Sequence, residues 1–130
     1  MPEAPLAERW RDLSARGWLA ADAFPTRGDE LIAVRTVSAV GVGAGRVFDG
    51  HRNGLERLLV HRPEDVDPAL REQLATGDLA IGVWGAEPGP GEGDPAVLDD
   101  VGATVTGVKT FCSGAGHVDV AIVLVRRQPG

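Results

Sequence analysis

The sequence predicts an α+β fold in which an N-terminal helical segment precedes a partial antiparallel β-domain. Up to residue 77 the apolar residues recur at helical spacing, whereas from residue 79 onward they form runs of strand length. Loops rich in glycine and proline separate these later runs. Because helices come first and strands second, we expect a short helical domain over residues 1–77 and a β-domain over residues 78–130.

The composition excludes several classes of partner. The 130 residues carry a net charge of -6 and contain no basic stripe, so we expect no nucleic-acid partner. No run of about 18 apolar residues occurs, so we expect no membrane-spanning helix. The single cysteine fits a reducing compartment, and the N-terminal segment lacks the apolar core of a signal peptide. A cytoplasmic protein is therefore the expectation.

The first two helices have start and stop signals. Apolar residues at helical spacing around Trp10 predict a first helix, and Gly17 is suited to end it. Thr26 and Asp29 have the spacing of a capping box at the start of a second helix.

The run ELIAVRTVSAVGVGAGRVF is apolar on almost every side, which predicts a buried helix. Its alternating glycines, Gly41, Gly43 and Gly45, indicate either close packing against another helix or a break into two pieces. The segment HRNGLERLLVHR predicts a further helix that ends before Pro63.

The segment DPALREQLATG has the most complete helix signature in the chain. Asp67 is suited to the N-cap, Pro68 to the first helical position and Gly77 to the stop.

Three segments predict strands: LAIGVW, ATVTGVKTF and VDVAIVLV. A loop of glycine, proline and acidic residues, GAEPGPGEGDP, follows the first. A sheet of about three strands has few neighbours. We therefore expect the chain to be a piece of a larger protein.

Several catalytic or binding patterns are present only in part. The alternating glycines have the third glycine one residue too early for a dinucleotide fingerprint, and GATVTGVKT has an extra valine for a phosphate loop. Ser113, His117 and Asp119 lie within seven residues, which disfavours a hydrolase triad because its members usually come from distant segments. The three histidines lack the spacing of a metal site, so we expect no metal and place His51 on a helix surface or between domains.

One combination of segments is more specific than these patterns. Ala86-Glu87-Pro88 follows a strand, Gly93-Asp94 lies in the loop, and GVKTFCS at 107–113 is followed by Val118-Asp119 at the next strand. In this order they resemble the acyl-CoA dehydrogenase family of flavoproteins, at the junction between its N-terminal helical domain and its middle β-domain. The resemblance is closest over residues 79–125.

The resemblance implies FAD as the cofactor. Ser113 matches the family hydroxyl that hydrogen-bonds the redox-active edge of the flavin, and Phe111 matches an aromatic residue that packs against it. Trp84, Gly85 and Ala86 match the strand end whose backbone meets the isoalloxazine ring. A neutral hydroxyl can donate to a ring nitrogen that gains charge on reduction.

The resemblance also implies what is missing. The family's C-terminal helical domain, which carries the catalytic glutamate, has no counterpart in this sequence. We therefore assign no catalytic residue, and we expect at most weak FAD binding and no dehydrogenation by this chain. The complete relative would oxidise an acyl-CoA at its α,β-bond. A homo-oligomer or a helical partner would supply the missing surface.

Two alternatives stay open. The segment FCSG in place of the commoner WITN, with Gly93 where a substrate-binding serine is expected, also resembles flavin-dependent monooxygenases of the same fold. The second alternative is a noncatalytic subunit or relic that needs a helical partner.

Overall fold

The structure is a computed structural model that describes residues 5–99, 101–102 and 104–128. It is an α+β fold, as the sequence predicts. The helices are α1 (Leu6–Ala15), α2 (Arg27–Val40), α3 (Val42–Glu56) and α4 (Pro68–Thr76), with a π-helical turn at Arg57–His61 and a 3-10 turn at Pro63–Asp65. The strands are β1 (Ile81–Trp84), β2 (Val97–Leu98), β3 (Val105–Thr106), β4 (Val120–Val123) and β5 (Arg126–Arg127). No helix in the described ranges has the length and apolar character needed to cross a membrane.

The helix ends follow the local signals in the sequence. The side chain of Thr26 accepts a hydrogen bond from the amide of Asp29, and that of Asp67 accepts one from the amide of Leu70, so both predicted N-caps are confirmed. Gly17 has a φ of 74°, and the amide of the next residue bonds back into the last turn of α1. This is a Schellman-type stop, as predicted.

Gly77 ends α4 in the left-handed conformation and lies against another segment. Its φ is 83°, and a Cβ at this position would lie 2.7 Å from the carbonyl carbon of Leu19. The loop after α1 therefore packs onto the end of α4, and only glycine fits both the backbone angle and the space.

The Gly77→Ala variant is expected to lose about 2 kcal/mol or more of unfolding free energy, because left-handed strain and a backbone clash combine. Gly17→Ala is the matched control, since Gly17 also has a positive φ but nothing lies within 4 Å of its Cβ position. It should lose only the strain, about 1 kcal/mol. Urea denaturation measures both, and equal losses would show that the contact with Leu19 has no energetic weight.

The long apolar run breaks into α2 and α3 at Gly41, whose φ of -164° and ψ of 114° are extended. The two helices pack closely, because a Cβ on Gly45 would lie 2.7 Å from the Cα of Ser38. The expectation that the run is buried on all sides is wrong for α2. Leu31 and Ile32 are 58% and 65% exposed, since α3 packs only on the opposite side of the helix.

The strands form a two-stranded parallel sheet and a three-stranded mixed sheet, so the expected antiparallel arrangement is wrong for two of the three pairings. β1 pairs in parallel with β4, and β2 lies between antiparallel β3 and parallel β5. Turn signals favour antiparallel pairing only for strands joined by a short connection. β1 and β4 are separated by residues 85–119, and a connection of that length permits parallel pairing.

Two apolar clusters hold the elements together. The first lies among the first three helices and is centred on the fully buried Phe48. The second joins Leu55 of α3 and Leu74 of α4 to Ile81 of β1. Helical and strand segments on both sides of residue 77 therefore share one core cluster.

Two polar residues of α3 are also internal. His51 is fully buried and Arg52 is 6% exposed. Of the two positions expected for His51, the helix surface is wrong. Its ring lies between the loop after α1 and the first residue of β1, which agrees with the alternative of a position between the helical and strand segments. Both ring nitrogens of His51 bond to backbone groups, and Arg52 bonds to three backbone carbonyls and to the Glu30 carboxylate.

Candidate ligand-binding cleft

The segment after β3 is held against the end of β1. The indole N–H of Trp84 donates to the backbone carbonyl of Ser113 at 3.1 Å. The amide of Thr110 donates to the carbonyl of Ala86 at 3.3 Å, and its hydroxyl donates to the carbonyl of Glu87 at 3.1 Å. These bonds bring the two segments that carry the resemblance into contact.

An ion pair fastens the same strand end to β5. The guanidinium of Arg126 donates to both carboxylate oxygens of Glu87, with an Nε–Oε1 distance of 2.7 Å. The hydrogen bond from Arg126 lowers the pKa of Glu87, and the same bond raises the pKa of Arg126. Both side chains are exposed, so the pair orients the loop more than it stabilises the fold.

Phe111 has the only positive φ found for a non-glycine among the described residues, 53°. Its side chain is 81% exposed. The left-handed conformation is unfavourable for a residue with a Cβ, and such strain concentrates at functional sites. An exposed aromatic ring on a strained backbone is therefore the first feature that marks this region.

The segment lines a cleft of about 620 Å³ between the end of β1 and one side of α3. Four of the five residues that the sequence resemblance predicts to contact a cofactor line this cleft: Gly85, Ala86, Phe111 and Ser113. Trp84 does not line this cleft. Its indole ties the backbone of Ser113 to β1 instead, so it positions the wall rather than forming it.

Ser113 is half-buried and lies at the junction of this cleft with a second one of about 470 Å³. Within the described part of the chain its hydroxyl makes no hydrogen bond, so it is free to serve a ligand. The feature that would have contradicted its predicted role, burial in an apolar interior, is not observed.

The residues of the opposite wall of the cleft were not predicted from the sequence. It consists of a polar stripe on α3 and the residue directly after it: Arg46, Asp49, Asn53 and Arg57. The spacing of three and four residues was the available signal. It was obscured because the sequence divides there into an apolar run and a separate charged segment.

The disfavoured triad is not assembled. The carboxylate of Asp119 accepts a hydrogen bond from the amide of Ala80 at 2.8 Å. His117 lies edge-on to Trp10 at a centroid distance of 5.0 Å, and its Nε2 has no hydrogen-bond partner among the described residues. Serine, histidine and carboxylate therefore do not form a chain of hydrogen bonds.

The geometry suits the binding of a flat ligand. One wall offers an exposed aromatic ring and a free hydroxyl, and the other offers two guanidinium groups, a carboxylate and a carboxamide.

Comparison with protein-family models, with curated proteins and with solved structures finds no match to this chain.

Proposed function

We propose that this chain is an acyl-CoA dehydrogenase-like flavoprotein segment whose cleft covers the isoalloxazine ring of FAD. The observation that supports the proposal is the convergence of Gly85, Ala86, Phe111 and Ser113 on one cleft wall. These residues come from two segments more than 20 positions apart, and each matches a flavin-contacting position of the family that the sequence resembles.

The residues present fit a flavin chemically. The Ser113 hydroxyl makes no hydrogen bond within the described residues and can donate to a ring nitrogen. The Phe111 ring is free to pack against a planar face. Bound FAD would supply the hydride-accepting chemistry, while the protein orients the ring and excludes water from its edge.

The proposal assigns no catalytic base to this chain. In the complete relative, an acyl-CoA would lose its α-proton to a carboxylate outside the segment that the resemblance covers. We therefore expect weak, saturable flavin binding without turnover of acyl-CoA.

The test is a titration of the flavin-free chain with FAD, followed by the visible absorption spectrum and by flavin fluorescence. Ser113→Ala should weaken binding by about tenfold, because one hydrogen bond to the ring is lost. Phe111→Ala should weaken it by a similar factor, because ring packing is lost. Circular dichroism should show that both variants stay folded.

Ser14→Ala is the matched control, because Ser14 is an exposed serine of α1 that does not line the cleft. It should bind FAD like the native chain. The absence of any saturable spectral change with the native chain would refute the proposal. So would equal affinities of the Ser113→Ala and Ser14→Ala variants that both match the native value.

A further inference from the structure

Two arginines stand at opposite ends of the polar stripe on the α3 wall. Arg46 and Arg57 are separated by about three helical turns, or about 16 Å along the axis, so both face the same cleft. Arg46 also lines the second cleft, which it shares with Ser113. The cations therefore flank the proposed ring position rather than cluster at one point.

Neither guanidinium has a partner within the described ranges of the chain. Arg27, Arg52 and Arg126 each contact a glutamate, whereas Arg35 on α2 is unpaired in the same part of the chain. What distinguishes Arg46 and Arg57 from Arg35 is that both line the cleft. The chain as a whole carries a net charge of -6. Two unpaired cations on one wall of a cleft in an acidic protein indicate an anionic ligand.

We infer that the arginine stripe of α3 binds the phosphoryl group of the flavin, so that the cleft selects phosphorylated flavins over riboflavin. This inference rests on the proposed function and adds the group that the opposite wall recognises. Guanidinium groups form charge-assisted, bidentate hydrogen bonds with phosphate. A ring against Phe111 and a charged tail along α3 would engage both walls at once.

Neutralising Asp49 changes the affinity for an anionic ligand in a direction that can be predicted. Its carboxylate lies on the same stripe and lines the same cleft, where it opposes an anion. Neutralising it should strengthen binding of a phosphorylated flavin and leave riboflavin unaffected. An arginine stripe that serves only solubility would produce no such ligand-dependent difference.

The experiment compares the affinities of riboflavin, FMN and FAD for the native full chain by fluorescence titration. FMN should bind at least about tenfold more tightly than riboflavin, and the preference should shrink at high salt. The double variant Arg46→Gln/Arg57→Gln should abolish the preference while retaining riboflavin affinity. The single variants show which end of the stripe holds the phosphoryl group.

Arg35→Gln is the charge-matched control, since Arg35 is exposed on α2 and does not line the cleft. It should retain the full FMN preference, whereas Asp49→Asn should increase it about threefold. Equal binding of riboflavin and FMN would overturn the inference alone and leave the flavin proposal standing. A preference that survives the double variant would also overturn it, and failure of all three flavins to bind would overturn both.

Discussion

Replacement of Arg52 by alanine is expected to lower the free energy of unfolding by about 4 kcal/mol. The Arg52 side chain lies beneath the loop after α1, and its guanidinium donates to three backbone carbonyls there, those of Trp18, Ala20 and Ala21. Its Nε donates to the Glu30 carboxylate at 3.1 Å. One side chain thus satisfies four acceptors on two separate segments.

Removal of Arg52 leaves the carbonyls of Trp18 and Ala21 without a donor among the described residues, in a partly buried environment. The Ala20 carbonyl keeps its bond from the Ala23 amide, and Glu30 keeps its ion pair with Arg27. A buried polar group without a partner costs about 1–3 kcal/mol, and a buried charge that loses its partner costs more. The guanidinium also lies 5.0 Å from the centroid of Phe24, so cation–π attraction and packing are lost with it. The loop between α1 and α2 should lose its anchor first.

Chemical denaturation of three variants tests this interpretation. Arg52→Lys keeps the charge but has no planar fork, so it should recover only a minor part of the loss. Arg35→Ala removes an exposed arginine without a partner among the described residues and should change stability by less than about 0.5 kcal/mol. An Arg52→Ala variant within about 1 kcal/mol of the native chain would contradict the anchoring role.

The sequence predicted the features that depend on neighbouring residues. The caps at Thr26 and Asp67 and the stops at Gly17 and Gly77 each involve backbone groups only a few residues away. Such local chemistry is encoded within a single turn. It does not require knowledge of where the element lies in the fold.

Features that depend on distant segments were predicted less well. The parallel pairing of β1 with β4 depends on how residues 85–119 return the chain, and periodicity carries no such information. The burial of His51 and Arg52 depends on a loop about 30 positions earlier that offers its carbonyls. From the sequence alone, polar residues on a helix are predicted to lie on the surface, because the covering loop is known only from the structure.

The candidate cleft shows the same division. Its strand-side wall was nominated from the sequence by resemblance, because Ala86 and the segment from Phe111 to Ser113 carry recognisable motifs. Its helix-side wall was missed, because Arg46 and Arg57 belong to no motif and acquire a shared face only when α3 is one continuous helix.

The stability of this protein is expected to fall steeply between pH 7 and pH 5 because of His51. The amide of Ile81 donates to Nδ1 at 3.2 Å, so Nδ1 must be an acceptor and the proton lies on Nε2. Nε2 then donates to the Leu19 carbonyl at 2.8 Å. The fold therefore holds the neutral tautomer and has no place for a second proton.

Burial lowers the pKa of His51 to about 4, opposed by the hydrogen bond to Leu19 and assisted by the nearby positive charge of Arg52. The unfolded chain has an ordinary histidine pKa of about 6.5 and therefore binds more protons than the folded chain between these values. The stabilisation is fully present above about pH 6.5 and is lost as the pH falls towards 4. The loss should be about 2 kcal/mol by pH 5 and about 3 kcal/mol by pH 4.

A His51→Gln variant isolates this contribution. Glutamine offers an amide group that donates and a carbonyl oxygen that accepts, but it does not titrate, so the variant should be less stable at pH 7 and its stability should be nearly independent of pH between 7 and 5. His61→Gln removes an exposed histidine whose Nε2 lies 3.6 Å from a carboxylate oxygen of Glu56, and it should keep the steep dependence of the native chain. The slope of unfolding free energy against pH distinguishes the two variants.

Two carboxylates, Glu56 and Glu87, also have lowered pKa values, but they lose their stabilising effect only as the pH falls below about 4.5. If the stability of His51→Gln still depended on pH above pH 5, the titrating group would therefore be a residue other than His51.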